Sequence, residues 1–260
     1  MMSCIIKSIN YCPVKSLSFQ SLNSSKIKKN LGMPNDRVFA FSRGVDLEKA
    51  RLIEKNPNER KLNNFLTLKN SPVLNKYNFI YKNDKLTFTY QDKELLSISP
   101  SKIEERDLLS KKLIEMENSL VNPTYLLKNS EFPFYDTTHS NNLFNSISLI
   151  NLNSIKDFEN KISKEVESQR FRANIYVDGI GAWEERNWVN QIIKINNIDF
   201  KVEKNIPRCV AINIKPNTDD NTFNLLQSLK KNFNHFDMGI YLTALNDGEI
   251  NIENKLKLNK

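Results

Sequence analysis

Apolar and polar residues alternate over Ile5 to Tyr11, Lys76 to Tyr81 and Lys85 to Tyr90, and a short apolar run occupies Val38 to Ser42. Alternation with period two marks half-buried strands. Asn83-Asp84 supplies a turn between two of these runs, so residues 76 to 98 predict a hairpin or meander. The period then changes. From 101 to 118 the residues Ile103, Leu108, Leu109, Leu113 and Met116 recur at helical spacing after the start signal Ser99-Pro100. Beyond residue 139 strands are expected at Ile147 to Leu152, Asn174 to Val177, Phe200 to Glu203, Val210 to Ile214, Gly239 to Ala244 and Glu249 to Ile252, while Gln191 to Ile195 extends a core segment. Helices are expected from Ser154 to about Ser163 and near Leu225 to Phe233. Many short strands broken by a few helices predict a β-rich α+β fold and not regular βαβ repetition.

Composition narrows this picture. A chain of 260 residues with 39% hydrophobic content can bury a sizeable core without staples. Cys4, Cys12 and Cys209 contain no C-x-x-C pair and have no histidine at metal spacing, which argues against a disulfide scaffold, a zinc ribbon or an iron–sulfur site. That cysteine usage fits a reducing cytoplasm, and since the N-terminus lacks the apolar core of a signal peptide and no later run is long enough to span a bilayer, a soluble protein is expected. The formal net charge is +8, but Lys is scattered beside Glu and Asp and forms no basic stripe with interleaved aromatics. That pattern excludes a nucleic-acid groove and favours an anionic ligand or an acidic protein partner.

The chemistry-bearing stretch runs from Arg170 to Thr218. Cys209 follows Arg208 there, a setting that suits a soft ligand or a reactive sulfur as well as it suits an inert interior cysteine. Standing alone, Lys15, Ser16 and Arg37 read as turn residues or surface charges. Pro13 supplies a turn and Asp36 a local ion pair with Arg37. Arg208 could equally pair with Glu203, Arg170 could face solvent, and Glu185 could cap a helix or pair with Arg186.

Two groups of residues carry a family resemblance. The first is Tyr11-Cys12-Pro13-Val14-Lys15-Ser16 followed by Leu31-Gly32-Met33-Pro34-Asn35-Asp36-Arg37-Val38-Phe39. The second joins Arg170-Phe171-Arg172-Ala173-Asn174, Asp178-Gly179, Trp183-Glu184-Glu185, Trp188, Arg208-Cys209, Pro216-x-Thr218, Asp237-x-Gly239-x-Tyr241 and Gly248. In this order and spacing the chain resembles MOSC-domain proteins that carry a MOSC N-terminal β-barrel domain, the arrangement of the mitochondrial amidoxime reducing component and its bacterial relatives. The resemblance implies an N-terminal β-barrel-like domain over 1–115, bridging helix included, packed on a MOSC barrel over 116–260 with peripheral helices. It implies a molybdenum-molybdopterin cofactor, a pyranopterin dithiolene whose metal takes Cys209 as its protein ligand. Lys15, Ser16, Arg37, Arg172, Asn174 and Arg208 would bind that cofactor, and Glu185 would lend support from behind.

The implied reaction is reduction of a small N-hydroxylated substrate. Electrons would come from a separate flavoprotein, ferredoxin or cytochrome, with no nucleic acid, no membrane span and no need for a second copy of the chain. The rival within the same fold is a sulfur carrier or sulfurtransferase using a Cys209 persulfide. One departure stands out: the family's late glycine and aspartate are replaced by Glu253 and Asn254, so the closing turn of the barrel must either shift its register or be strained.

Overall fold

The computed structural model describes residues 4–135 and 147–258. Its largest sheet orders the strands β10 (Ile175–Asp178), β9 (Ile147–Asn151), β13 (Asp237–Ala244), β12 (Ile198–Pro207), β11 (Ile192–Ile195), β15 (Lys255–Leu258), β1 (Cys4–Tyr11) and β2 (Gln20–Leu22). The sheet closes on itself because β1 also pairs with β10, matching Ile5 to Asp178 and Ile9 to Ile175. A closed barrel leaves no unpaired edge among its ring strands. The ring is antiparallel except for β9 and β10, which run parallel and are joined through α3 (Leu152–Ile162).

Alternation sorts the side chains of these strands. Ile6, Leu149, Ile175, Val177, Phe200, Val202, Ile240 and Leu242 fill the barrel. Their neighbours Ile150 and Tyr176 point instead into a second layer with Phe158 of α3, Phe171, and Leu225 and Leu229 of α4 (Leu225–Phe233). Local signals fix both helices. The Asn151 side chain accepts from the Asn153 amide at the start of α3, and Asn224 accepts from the Gln227 amide at the start of α4. Ser163 and Asn234 end them in the left-handed conformation.

The remaining strands build the other half. A meander of β5 (Tyr77–Lys82), β6 (Lys85–Tyr90) and β7 (Lys93–Ile98) lies with β4 (Phe39–Phe41), β8 (Leu126–Lys128) and α2 (Ile103–Met116) around a separate core. Phe79 stacks on Phe88 at 5.0 Å and Phe39 meets Tyr81 edge-on at 5.0 Å. Pairs of this geometry add roughly 0.5–1.5 kcal/mol each beyond their burial. The two halves are interleaved, since β1 from the expected first domain completes the barrel and β3 (Ser24–Ile27) pairs with β14 (Gly248–Asn251).

Several expectations change in detail. Val210 to Ile214 is not a strand but a 3-10 turn over Val210–Asn213, because the chain leaves the sheet at Pro207. The apolar face assigned to α2 is also rotated: Ile103 and Leu108 are exposed, while Arg106, Leu109, Ser110 and Leu113 are buried. Arg106 is drawn inward by Glu54, which accepts from it. Helix α1 (Leu47–Lys55) was not anticipated, although Asp46 caps it by accepting from the Lys49 amide at 2.7 Å. The replaced closing turn holds: Glu253 itself takes φ 68, and Asn254 accepts from the Asn251 amide at 2.8 Å. His139 and the end of the loop that contains it lie outside the described residues.

Strands β13 and β9 approach closely at Gly239. Its φ is +81, and a Cβ there would lie 2.3 Å from the Leu149 carbonyl oxygen. Gly239→Ala is therefore expected to destabilise the protein by about 3 kcal/mol or more, through both the left-handed backbone and the clash. A denaturant midpoint equal to that of the wild type would contradict this account of the packing.

Candidate functional site

The segment after β1 and the segment before β10 meet at one buried carboxylate. Asp36 is fully buried and accepts from the Cys12 amide at 2.6 Å, from Asn174 Nδ2 at 3.2 Å and from the Arg37 guanidinium. Burial pushes this carboxyl above its usual range while Arg37 and the Cys12 amide pull against it. Three convergent donors, one of them a cation, form the set that an ionised carboxylate satisfies. Burial alone would lower Arg37, but its partner Asp36 outweighs that and raises it, so the guanidinium stays charged.

A second guanidinium sits beside the first. Arg37 lies 5.5 Å and Arg172 5.0 Å from the centroid of the same Phe19 ring. Arg172 donates to the Leu17 carbonyl and reaches Cys12 Sγ at 3.9 Å. Burial holds its pKa below the ordinary arginine value and the Arg37 charge pushes it further down. Among the described residues Asp36 pairs with Arg37 and no carboxylate pairs with Arg172 or Arg208. The cluster therefore carries excess positive charge in a partly dry setting, which is the condition for anion binding.

Backbone strain concentrates at the same place. Ser16, Arg37 and Arg172 have φ of 63, 55 and 54 degrees. A left-handed non-glycine residue costs on the order of 1 kcal/mol, and such costs gather where geometry serves a ligand. Arg172 lies outside the strand. It ends the 3-10 turn Ser168–Phe171, and β10 starts only at Ile175.

Cys209 is the exposed cysteine, whereas Cys4 and Cys12 are buried. It stands between β12 and the turn Val210–Asn213, with extended backbone. Arg208 holds this corner. Its side chain donates to the Met238 carbonyl through Nε at 2.8 Å and again through Nη2, and to the Phe171 carbonyl through Nη1 at 2.6 Å. The pairing of Arg208 with Glu203 does not occur, because Glu203 pairs with Lys201 at 3.0 Å. Arg208 is thus a staple for the cysteine corner and not a free arm. Cys209 lies close enough to oppose the burial that lowers both Arg172 and Arg208.

The other expected residues hold the frame. Asn174 is buried, accepts from the Ser148 amide and hydroxyl, and donates to the Asn10 carbonyl as well as to Asp36. Lys15 is buried and donates to the carbonyls of Phe134 and Tyr135 at 3.1 and 2.9 Å. That fixes Tyr135, whose ring lies 5.8 Å from the Arg37 guanidinium. Ser16 occupies the same turn and its hydroxyl makes no hydrogen bond to another described residue. Cys12 is fully buried, its thiol facing the carbonyls of Val14 and Leu17 at 2.9 and 3.3 Å, and burial raises its pKa. Phe19 and Tyr135 were not foreseen as site residues. Aromatics with no periodic partner give no signal in the sequence until the arginines are placed on them.

Glu185 belongs to a different neighbourhood. It is fully buried and takes hydrogen bonds from Ser154 Oγ at 2.8 Å and Asn151 Nδ2 at 3.2 Å. Arg186 does not pair with it, because that guanidinium meets Asp237 at 3.1 Å. Trp188 is buried beside it, and Trp183 donates through Nε1 to Asp157 at 2.7 Å.

Comparison with known proteins bears on this arrangement. Residues 136–257 match the family model described as the MOSC domain. Over 72 residues the chain is 35% identical to mitochondrial amidoxime reducing component 2 of Rattus norvegicus, a match covering 28% of this chain and 21% of that protein. Over 110 residues it is 34% identical to molybdenum cofactor sulfurase of Drosophila willistoni, covering 40% of this chain and 13% of that protein. The matched stretches thus span about a fifth or less of these curated relatives. The crystal structure of the YUAD protein from Bacillus subtilis aligns over 98% of this chain and 94% of its own, with a TM-score of 0.46 and 9% identity. No helix among the described residues is long and apolar enough to cross a membrane.

The buried Glu185 yields a pH dependence. Desolvation raises its pKa above the ordinary 4.5, against the pull of Ser154 and Asn151. Between those two values the folded state keeps a proton that the unfolded chain has released, so this group's contribution falls as pH rises. The slope approaches ~1.4 kcal/mol per pH unit within that window. Glu185→Gln should match the wild type near pH 4 and become the more stable protein at higher pH, measured by denaturant unfolding across that range. A stability difference that does not change with pH would show that Glu185 titrates normally in place.

Proposed function

The chain carries a MOSC domain over residues 136–257, and from that premise we propose that it is a molybdenum-cofactor enzyme reducing small N-hydroxylated compounds with electrons from a separate donor protein. One observation carries the reading: the exposed Cys209 thiol stands next to Arg208 and within electrostatic reach of Arg172, two arginines that form no ion pair with a carboxylate among the described residues. Of the two named relatives, the amidoxime reducing component supports the reductase reading, whereas the molybdenum cofactor sulfurase supports only the link to that cofactor and is equally in keeping with a sulfur carrier.

The residues fit such a cofactor. A metal that arrives within an anionic organic group needs from the protein one soft donor and a cationic grip, and Cys209, Arg37 and Arg172 have those properties. Among the described residues no cluster of three His, Cys, Asp or Glu side chains could hold a bare metal ion. Arg37 and Arg172 would hold the phosphate end, Cys209 would supply the sulfur ligand, and Ser16 lies in the turn beside Lys15. When bound, the cofactor would supply the two-electron chemistry that breaks an N–O bond.

The remaining tasks fall to the chain. Asp36 neutralises one guanidinium and fixes its aim, so the excess charge next to Phe19 is close to one unit and not two. Arg208 and Asn174 work from behind, by hydrogen bonds to backbone and neighbouring side chains. Lys15 acts the same way through Phe134 and Tyr135. The exposure of Cys209 leaves room for a small substrate and for approach of the electron donor.

The test is metal analysis of protein made in a host that synthesises molybdopterin. Near one molybdenum per chain is expected. Substituting both Arg37 and Arg172 by alanine should cut occupancy by about tenfold or more, since charge-assisted contacts of this kind dominate phosphate retention. Cys209→Ser should lower reduction of an amidoxime or hydroxylamine by about 100-fold or more at equal molybdenum occupancy, because the hydroxyl is a poor substitute for a soft sulfur. Cofactor-free protein bearing a persulfide on Cys209 would replace this reading with a sulfur carrier.

A further inference from the structure

The turns that carry Arg172 and Cys209 are joined twice, by two arginines reaching in opposite directions. Arg208, the residue before Cys209, donates to the carbonyl of Phe171, the residue before Arg172, at 2.6 Å. Arg170, two residues before Arg172, donates through Nη1 to the carbonyl of Asn213, the last residue of the turn that follows Cys209, at 2.7 Å. Resting on the proposed roles of Cys209 and Arg172, we infer that Arg170 and Arg208 form a reciprocal clamp setting the spacing of thiol and guanidinium, with Arg170 as a positioning residue.

The physical case rests on what else could hold Cys209. The strand before it ends at Pro207, and both Cys209 and Val210 are exposed, so side-chain packing does not fix the thiol. The turn is anchored farther on, by burial of Ile212 in the layer under α3 and α4 and of Ile214 in the core of the other half. Asn213 lies between those two anchors, and its carbonyl accepts from Arg170, which ties the far end of the turn to the Arg172 side as Arg208 ties the near end. Arg170 is well suited to that tie. Its side chain is only 9% exposed and its Nε donates to Glu167 at 2.7 Å, which leaves the fork aimed at Asn213. A solvent-facing ion pair would contribute little and position nothing, whereas a guanidinium shared between a carboxylate and a carbonyl on another turn fixes direction.

Fixed spacing has an electrostatic reading that folding stability does not. Iodoacetate and iodoacetamide alkylate a thiolate by the same displacement of iodide but differ by one negative charge. The ratio of their rates with Cys209 therefore reports the local potential. Cys4 and Cys12 are 6% and 0% exposed, so native-state alkylation reads Cys209, and a Cys209→Ser control should not react.

The experiment uses metal-free protein at low ionic strength, so its outcome is independent of molybdenum loading. Arg172→Ala should lower the iodoacetate to iodoacetamide ratio by roughly threefold or more, the size expected for one nearby charge at a protein surface. Arg170→Ala should lower it by a comparable factor although the charge of Arg172 is intact, and Arg170→Lys should fall between, since an ammonium lacks the fork. Should Arg170→Ala fail to fold, Glu167→Gln decides: the ratio falls if the carboxylate aims Arg170. An unchanged ratio in the folded Arg170 or Glu167 variants overturns the clamp, as does an unchanged ratio in Arg172→Ala.

Discussion

One buried carboxylate organises the molecule. Asp36 joins the amide that follows β1, the Asn174 side chain that precedes β10 and the guanidinium of Arg37. Asn174 passes the connection on to Ser148 of β9, so three ring strands are tied to the segment that bears the cation. A charge this deep is tolerated only when its lone pairs are filled. Filling them is what brings the two halves of the chain into register, because the donors come from residues 12, 37 and 174. Removing any one donor would leave the other partners facing an under-satisfied carboxylate.

The barrel is the part that sequence periodicity makes legible. The alternation over Ile5 to Tyr11 and Gly239 to Ala244 corresponds to β1 and β13, and the Asn83-Asp84 turn lies between β5 and β6. These elements bury one face and expose or pack the other, which is the condition under which pattern and burial agree. Where a charged residue is drawn inward the agreement breaks. Arg106 turns α2 toward Glu54 and leaves Ile103 and Leu108 at the surface, a rotation that no count of apolar residues reveals. Closure of the ring, which the family resemblance implied, was hidden from periodicity, since it depends on β1 pairing with β10, some 170 residues later in the chain, and periodicity carries no information on partner choice.

The site shows a similar division. Motif order singled out Cys209, Arg37 and Arg172, and the structure gathers the two arginines around Phe19. What the motifs could not distinguish is a residue that faces a ligand from one that holds a loop. Arg208, Asn174 and Lys15 have the chemistry of phosphate binders, yet each is engaged by backbone carbonyls or buried side chains. The distinction is geometric. The turn that contains Val210 shows why: its apolar alternation resembles a strand, but after Pro207 the chain has no neighbouring strand to pair with and coils into a 3-10 turn instead.

A common device accounts for the charge of this region. Arg60, Arg172 and Arg208 are largely buried or half-buried cations that donate to main-chain carbonyls and form no ion pair with a carboxylate among the described residues. Arg60 closes the end of α1 through Ile53 and Glu54 and holds Phe132 and Pro133 as well, 4.1 Å above the Phe134 ring. Carbonyl dipoles can solvate a cation but cannot cancel its charge, so loops stapled in this manner keep a positive potential after folding. A fold that stapled the same loops with carboxylate pairs would be as well ordered and electrically neutral. Here the elements that fix Cys209 and Arg172 are themselves cations, and the order of the site and its attraction for an anion have one origin.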